Sequence, residues 1–467
     1  MLFTTAQFLG FFCLVFLVYW GLPGKRLRLF WLLIASIYFY MSWNPWLVTL
    51  ILFSASVDYL AAMKMEGLVR PLARRLLLIV SISTNLGLLA FFKYVNFFLG
   101  SMYTIQGWLG GEPAQRFFQV VLPLGISFYT FETISYIVDV YRRRARAVRD
   151  PLEYALYIMF FPHLVAGPIV RPKDFLPQLR RRHRFNWDRL QLGLQFFFLG
   201  LFKKAVLADR LVAVVDPVFA NPGPFGSAAT WLAVLAYSAQ IYLDFSGYSD
   251  MAVGLAHMLG YRLPRNFNMP YLAANIADFW RRWHISLSSW LRDYLFIPLG
   301  GSRGSRWQTC RNLLVTMLVG GLWHGANWTF VAWGGLHGLL LAGHRLLPSW
   351  KWRESRSFRP LAILSTFLAV CVGWVFFRAQ SFGDAGIILQ HLFQPEWGLS
   401  LSRPQIWTVG VILAVLVAGH ALGAFIDLTK RERVLPEVVM GAVLTGLLLL
   451  VLMLAPDESK AFIYFQF

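Results

Sequence analysis

Long apolar runs recur from Phe3 to Leu454, and they constrain this chain more than any other feature. Many of them reach the roughly 20 residues that a helix needs to cross the hydrocarbon core of a bilayer. The sequence is 57% hydrophobic and 14% charged, whereas a soluble domain is about 25% charged. Because lipid cannot satisfy backbone polar groups, such spans form helices. We therefore predict an all-α polytopic membrane protein, with about 11 transmembrane helices plus re-entrant and interfacial helices.

The basic residues lie mainly in short loops between the apolar runs. The chain has 43 Lys and Arg against 23 Asp and Glu, a formal net charge of +20. In a soluble protein this imbalance suggests nucleic-acid binding, but in short loops it marks the cytoplasmic side of a membrane. We therefore exclude nucleic acid as a partner. The first basic loop, 25–28, predicts that the N-terminus lies outside the cytoplasm. The three cysteines form no ligand-spaced pair, so we predict no metal site.

Two apolar segments do not fit a topology in which successive spans end on alternating sides of the membrane. Basic clusters flank both Leu152–Val170 and Asn312–His344, so each segment begins and ends in the cytoplasm and does not cross once. Prolines and glycines interrupt the first segment, and glycines interrupt the second. We predict that the first is re-entrant and that the second consists of two half-spans meeting inside the membrane. Irregular backbone at that depth must be covered by protein or line a cavity.

His324 lies at the centre of the second of these segments, in GGLWHGANW (320–328). An ionisable side chain at membrane depth is costly and marks a functional site by default. Trp323 and Trp328 could wall a dry pocket, and Asn327 could orient the imidazole or polarise a carbonyl. The alternative is a structural histidine that hydrogen-bonds between helices. We predict that His324 acts as general base on an acceptor hydroxyl, in a site that keeps water away from an activated acyl donor.

A second histidine, His284, lies in an aromatic and basic stretch at 275–301. Read as one helix, the stretch places a single stripe of apolar side chains on one face: Trp280, Trp283, Leu287, Trp290 and Tyr294. Asp278 and Arg282 are spaced as an i,i+4 pair, and Arg281 lies on the polar face. This pattern is typical of an interfacial or funnel-lining helix. An amphipathic helix whose histidine has no function fits the periodicity equally well.

Weaker polar features lie elsewhere in the apolar runs. DFSGYSD (244–250) places two carboxylates near the end of a span, where Asp244 and Ser246 are candidate binding residues. A structural role, with arginines or hydroxyls binding the carboxylates, is the preferred interpretation of this motif. Lys93 and Glu132 are single charges that could pair. The sequence has no nucleophile elbow, HExxH or phosphate-binding loop in a credible context.

At these motifs the chain resembles the membrane-bound O-acyltransferase (MBOAT) family, and more closely its bacterial branch of alginate O-acetyltransferases. The similar stretches are 122–142, 160–179, 242–271, 278–304, 321–338 and 462–467. The resemblance implies one integral-membrane domain over 1–467, with a catalytic core at 120–345. The N-terminal helices then occupy 1–119 and the C-terminal helices 360–467. It also implies a funnel-shaped fold with a thin septum at the active site.

The resemblance further implies that His324 is the catalytic histidine and that His284 is a second, functionally required one. Acetyl-CoA would be the donor, entering from the cytoplasm, and no cofactor would be bound. The candidate residues for binding substrate or donor are Trp323, Asn327, Trp280, Arg281, Arg282, Asp244 and Ser246. Of these, the arginines belong to a basic region that could steer the phosphates of CoA.

The function implied is O-acetylation of an exported polysaccharide, alginate first, from the bacterial inner membrane. An extracytoplasmic acetyltransferase often completes the reaction in such systems and would be a partner. Cellulose and peptidoglycan are alternative acceptors, because the substrate does not follow from the fold. An alternative from another class is a transporter or flippase whose histidines relay protons. We find no internal repeat in support of an inverted-repeat transporter.

Overall fold

The structure is a computed structural model that describes residues 1–111, 117–118, 120–347, 357–425, 437–454 and 462–463. Every regular element that these residues form is a helix, which confirms the predicted all-α class. The chain divides into two compact units, residues 1–193 with 255–264 and residues 194–254 with 265–467. The single domain over 1–467 stays a prediction.

The α-helices, in chain order, are α1 (Ala6–Gly21), α2 (Lys25–Met41), α3 (Val48–Gly67), α4 (Pro71–Leu89), α5 (Val95–Trp108), α6 (Ile126–Tyr141), α7 (Pro151–Met159), α8 (Phe161–Leu164), α9 (Pro172–Leu179), α10 (Trp187–Leu201), α11 (Asp209–Ala220), α12 (Ser227–Met258), α13 (Ile276–Arg282), α14 (Ile285–Leu291), α15 (Arg306–His324), α16 (Trp328–Leu346), α17 (Arg359–Arg378), α18 (Phe382–Phe393), α19 (Arg403–Phe425) and α20 (Glu437–Leu454). Short π-helical segments follow or join some of them, at Ala90–Tyr94, Phe202–Ala208 and Arg292–Phe296.

Four helical stretches of the described residues are long and apolar enough to cross a bilayer: Pro45–Gly67, Pro71–Trp108, Arg359–Arg378 and Arg403–Ala424. Together with the family reported below, they identify a membrane protein. The count of about 11 spans stays a prediction. The apolar run Val434–Leu454 begins outside the described residues. The basic residues at 351–356 and 430–433 also lie outside them.

In the first unit, Leu152–Val170 forms two short helices instead of one span. α7 has 9 residues and α8 has 4, and most of the segment is buried. Glu132 of α6 holds it, because its carboxylate accepts the N–H of Val170 at 2.9 Å and lies 3.2 Å from Nδ1 of His163. The predicted break is therefore present, and these contacts replace the suggested pairing of Glu132 with Lys93. Its depth in a bilayer stays a prediction.

In the second unit, α15 and α16 form an antiparallel hairpin whose turn lies at 325–327. The two backbones touch: a Cβ on Gly321 would overlap the carbonyl oxygen of Phe330, and a Cβ on Gly334 would overlap that of Met317. Glycine within a helix costs about 1 kcal/mol relative to alanine, so the close approach explains its use here. Each helix has 19 residues, or about 28 Å. The hairpin is thus longer than the two predicted half-spans, although its turn falls at the predicted place.

The prediction of one continuous helix over 275–301 is wrong. α13 ends at Arg282, and α14 begins only after His284. The break arises because a preceding loop takes over the backbone groups: Asn268 N–H donates to the Arg282 carbonyl at 2.9 Å, and Ile285 N–H donates to the Asn266 carbonyl at 2.9 Å. The apolar stripe is still largely buried, since Trp280, Trp283, Leu287 and Trp290 all lie in the core.

Candidate active site

The two predicted histidines lie together inside the second unit. His324 is the last residue of α15, and His284 is the N-cap of α14. Their ring centroids are 6.3 Å apart. His284 is 0% exposed and His324 is 3% exposed. Both histidines are therefore enclosed by protein, and His324 retains a small accessible area.

The backbone at His284 is held in an uncommon conformation. Its φ of 43° and ψ of 54° lie in the left-handed region, which only a few per cent of residues other than glycine adopt. Asn266 fixes the following turn, because its side-chain oxygen accepts from Ser286 Oγ at 2.6 Å. Such conformations cost about 1–3 kcal/mol and concentrate at functional sites. The backbone thus holds the His284 imidazole beside His324 at some cost in stability.

Aromatic rings enclose both imidazoles. The rings nearest His324 are those of Trp323 (4.9 Å between centroids), Trp333 (5.0 Å) and Phe377 (5.2 Å). His284 packs on Phe245 at 4.6 Å. Trp328, the other suggested wall of the pocket, is 52% exposed, and its place in the wall stays a prediction. The enclosure is apolar, and in such surroundings the interaction between two charges is stronger than in water.

His284 is fully buried and packs on an aromatic ring. Burial in apolar surroundings disfavours the charged form of an imidazole and so favours the neutral ring. A neutral imidazole has one nitrogen that donates and one that accepts a hydrogen bond. His284 can therefore orient a neighbouring group or a substrate without placing a positive charge beside His324.

Asn327 and Trp280 lie near this centre and have partners of their own. Asn327 caps α16, because its Oδ1 accepts the Thr329 N–H at 3.1 Å and its Nδ2 donates to the Gln380 carbonyl at 3.0 Å. It thereby fixes the turn that follows His324. Trp280 is buried and packs on Trp333 at 5.7 Å, one ring further from His324.

The predicted donor-side arginines lie at the surface of the unit. Arg281 is exposed. Arg282 forms the predicted i,i+4 pair with Asp278 at 3.0 Å and also contacts the Asn268 carbonyl at 3.3 Å. They are the last two residues of α13, and they come three and two positions before His284 in the chain.

Asp244 and Ser246 flank Phe245 on α12, and both are buried. Asp244 binds Lys204 at 2.7 Å and accepts the backbone N–H of Ile463 at 2.7 Å. Lys204 also binds Asp209 at 2.7 Å. Lys204 and a backbone N–H are thus the partners of Asp244, in place of the arginines or hydroxyls that the sequence suggested. The ion pairs also explain how Lys204 is tolerated inside an apolar run.

Phe245, Trp333, Phe377 and His337 belong to the centre but were not singled out from the sequence. Trp333 and His337 are one helical turn apart on α16, at i and i+4, and this spacing is a signal that the sequence does contain. Phe245 and Phe377 come from α12 and α17, far away in the chain. No local pattern could have assigned them.

Comparison with known proteins identifies the family of this chain. The model of the MBOAT, membrane-bound O-acyltransferase family, matches residues 31–382. The chain is 44% identical over 433 residues to the probable alginate O-acetylase of Pseudomonas aeruginosa, covering 92% of this chain and 82% of that protein. It is 39% identical over 390 residues to the peptidoglycan O-acetyltransferase of Helicobacter pylori, covering 78% and 73%.

A more distant relative is the teichoic acid D-alanyltransferase of Bacillus subtilis, which is 31% identical over 283 residues, covering 56% of this chain and 69% of that protein. The family match extends over most of the chain and includes both histidines. This chain belongs to the membrane-bound O-acyltransferase family and is an acyltransferase.

Proposed function

We propose that the protein transfers an acetyl group from cytoplasmic acetyl-CoA toward an exported polysaccharide, with alginate as the first candidate acceptor. The observation that carries the proposal is the buried pair of His284 and His324, 6.3 Å apart in an aromatic enclosure. The names of the relatives support a polymer acceptor, and those at 39–44% identity act in O-acetylation. The bacterial inner membrane and an N-terminus outside the cytoplasm belong to the same proposal.

His324 serves as general base in this mechanism. Its imidazole takes the proton of the acceptor hydroxyl as the oxygen attacks the thioester carbonyl carbon. The new C–O bond forms, the C–S bond breaks, and the imidazolium returns the proton to the thiolate of CoA. General-base catalysis of this kind contributes about 10²–10⁴-fold in rate. The aromatic enclosure excludes water, which would otherwise hydrolyse the donor.

The other predicted residues have supporting parts in the proposal. His284, being neutral and fully buried, orients His324 or the reacting groups. Arg281 and Arg282 bind the phosphates of CoA, and Trp323 packs against the acyl group beside the base. Trp280 and Asn327 shape the donor site. Asp244 and Ser246 are proposed to hold the wall of the site through Phe245, and the ion pair with Lys204 supports that assignment.

The basic loops predict which side of the membrane each end of the hairpin faces. If both ends of the hairpin lie in the cytoplasm, His324 lies deep in the membrane or near its outer face. An acceptor from outside could then meet the acetyl group while CoA stays inside. An extracytoplasmic acetyltransferase that passes the group to the polymer is the proposed partner.

A proteoliposome assay separates this function from transport. Wild-type protein is reconstituted with labelled acetyl-CoA on one side. The other side receives oligosaccharides of alginate, cellulose or peptidoglycan together with an extracytoplasmic extract that supplies the proposed partner. We expect free CoA and labelled acceptor to appear together, and the preferred oligosaccharide identifies the acceptor class. Passage of a solute without release of CoA would contradict the acyltransferase mechanism and support a transporter.

A further inference from the structure

A third buried histidine, His337, lies on α16 beyond the histidine pair. It is 0% exposed, and neither of its ring nitrogens has a hydrogen-bond partner among the residues that the structure describes. Within the same described residues, the indole nitrogens of Trp280 and Trp333 also have none. A buried polar group without a partner costs about 1–3 kcal/mol. Three such side chains in one place therefore need a physical explanation.

These three rings pack against one another. The centroid of His337 lies 4.8 Å from that of Trp333 and 5.2 Å from that of Trp280. Gly373 of α17 faces the cluster, because a Cβ there would lie 2.9 Å from Nε2 of His337 and 3.6 Å from Nε1 of Trp333. The polar edges of both rings thus converge on a position of α17 that carries no side chain.

Trp333 joins this cluster to the catalytic pair. Its ring packs edge-on against His324, with centroids 5.0 Å apart and an interplanar angle of 86°. On its other side it packs against His337. Side chains in a close-packed interior occupy discrete rotamers, so a change in the orientation of Trp333 displaces the His324 ring. A displacement of about 1 Å at a reacting group can cost about 10²-fold in rate.

We propose that His337 is a positioning residue for acyl transfer, which sets the orientation of the His324 imidazole through the indole of Trp333. This inference rests on the function proposed above. An indole N–H only donates hydrogen bonds, whereas a neutral imidazole carries one donor and one acceptor. Of the three rings, His337 therefore supplies the acceptor. A small rotation brings an indole N–H onto this nitrogen, and the resulting hydrogen bond selects one orientation of Trp333.

The test compares His337→Phe, which keeps the ring and its packing, with His337→Gln, which keeps a hydrogen-bond acceptor. For both we measure kcat, the KM for acetyl-CoA and the thermal unfolding midpoint. We expect His337→Phe to stay folded, with a thermal unfolding midpoint at or somewhat below that of wild type, because the ring volume is kept while the acceptor for the indole N–H is lost. Its kcat should fall about 10-fold or more with KM unchanged, and His337→Gln should recover part of the loss.

His391→Phe is the matched control, since this buried histidine lies on α18 and contacts Glu396 at 3.1 Å. It should keep the wild-type kcat. A folded His337→Phe protein with wild-type kcat would overturn the inference, as would a loss of kcat that His337→Gln does not relieve. If His337→Phe does not fold, Gly373→Ala decides, because its methyl group displaces the imidazole. A lower kcat at constant KM then supports the inference, and a wild-type kcat overturns it.

His324→Ala is assayed in parallel to separate this inference from the proposed function. If the wild-type protein transfers no acetyl group, the proposed function fails. If transfer is present in wild type, absent in His324→Ala and intact in His337→Phe, the proposed function stands and the positioning role of His337 fails.

Discussion

At the scale of single residues, burial separates the charges that hold the protein together from those that can meet a ligand. Lys204 and Asp244 are buried and bound to each other, whereas Arg281 is exposed on the chain segment that leads to His284. A buried ion pair that loses one partner leaves an uncompensated charge, while an exposed charge is screened by solvent. The two kinds of residue therefore predict different losses on substitution.

Asp244→Ala should destabilise the protein by about 3–5 kcal/mol, because it leaves Lys204 buried with one carboxylate fewer. Arg292→Ala is the matched control: its pair with Asp293 has an Arg side chain that is 62% exposed and should contribute at most about 1 kcal/mol. Thermal unfolding in detergent measures the loss of stability in both variants. If Asp244→Ala kept its stability but lost affinity for donor or acceptor, Asp244 would be a binding residue instead.

Arg281→Ala should raise the KM for acetyl-CoA and weaken its dependence on salt, because the guanidinium attracts the CoA phosphates. Arg282→Ala should act in the same direction and also break the pair with Asp278. Arg403→Ala, an exposed arginine at the start of α19, should leave KM unchanged. An unchanged affinity for CoA in Arg281→Ala and Arg282→Ala, with a lower unfolding temperature, would show that these arginines only anchor their helix.

At the scale of elements, the glycines of the hairpin decide whether His324 reaches its position. Gly334→Ala should destabilise the protein by about 1–3 kcal/mol, because the new methyl group meets the backbone of α15. Gly343→Ala lies on the same helix with open space around it, and it should be neutral or stabilising by up to about 1 kcal/mol. Equal unfolding temperatures for the two variants would contradict the close packing of α15 on α16.

Elements were predictable from the sequence where a local pattern decides them. The break of Leu152–Val170, the turn after His324 and the helical class all follow from proline, glycine and apolar runs. The break at His284 did not, because the groups that cause it belong to Asn266 and Asn268 in a preceding loop. The rings of Phe245 and Phe377 escaped for the same reason, since long-range packing brought them to the site.

At the scale of the whole molecule, the proposed mechanism depends on which side of the membrane each end of the hairpin faces. Single cysteines at Ser302 and Ser357, both exposed, should react only with reagent supplied from the cytoplasm. The background lacks Cys13, Cys310 and Cys371. Ser355 would serve as an alternative to Ser357 for labelling, but it lies outside the described residues. Labelling of the two positions from opposite faces would mean that the hairpin crosses once, and transfer across the septum would fail.

The most direct test of the central claim is transfer of labelled acetyl from acetyl-CoA by purified wild-type protein and by His324→Ala, with His391→Ala as a buried-histidine control. Thermal unfolding shows that each protein is folded. We predict that His324→Ala still unfolds in one cooperative transition, at a temperature lowered by the cavity that the ring leaves, and loses about 10²–10⁴-fold in transfer rate, while His391→Ala keeps its rate. A folded His324→Ala protein that transfers acetyl groups at the wild-type rate would contradict the assignment of His324 as the catalytic base.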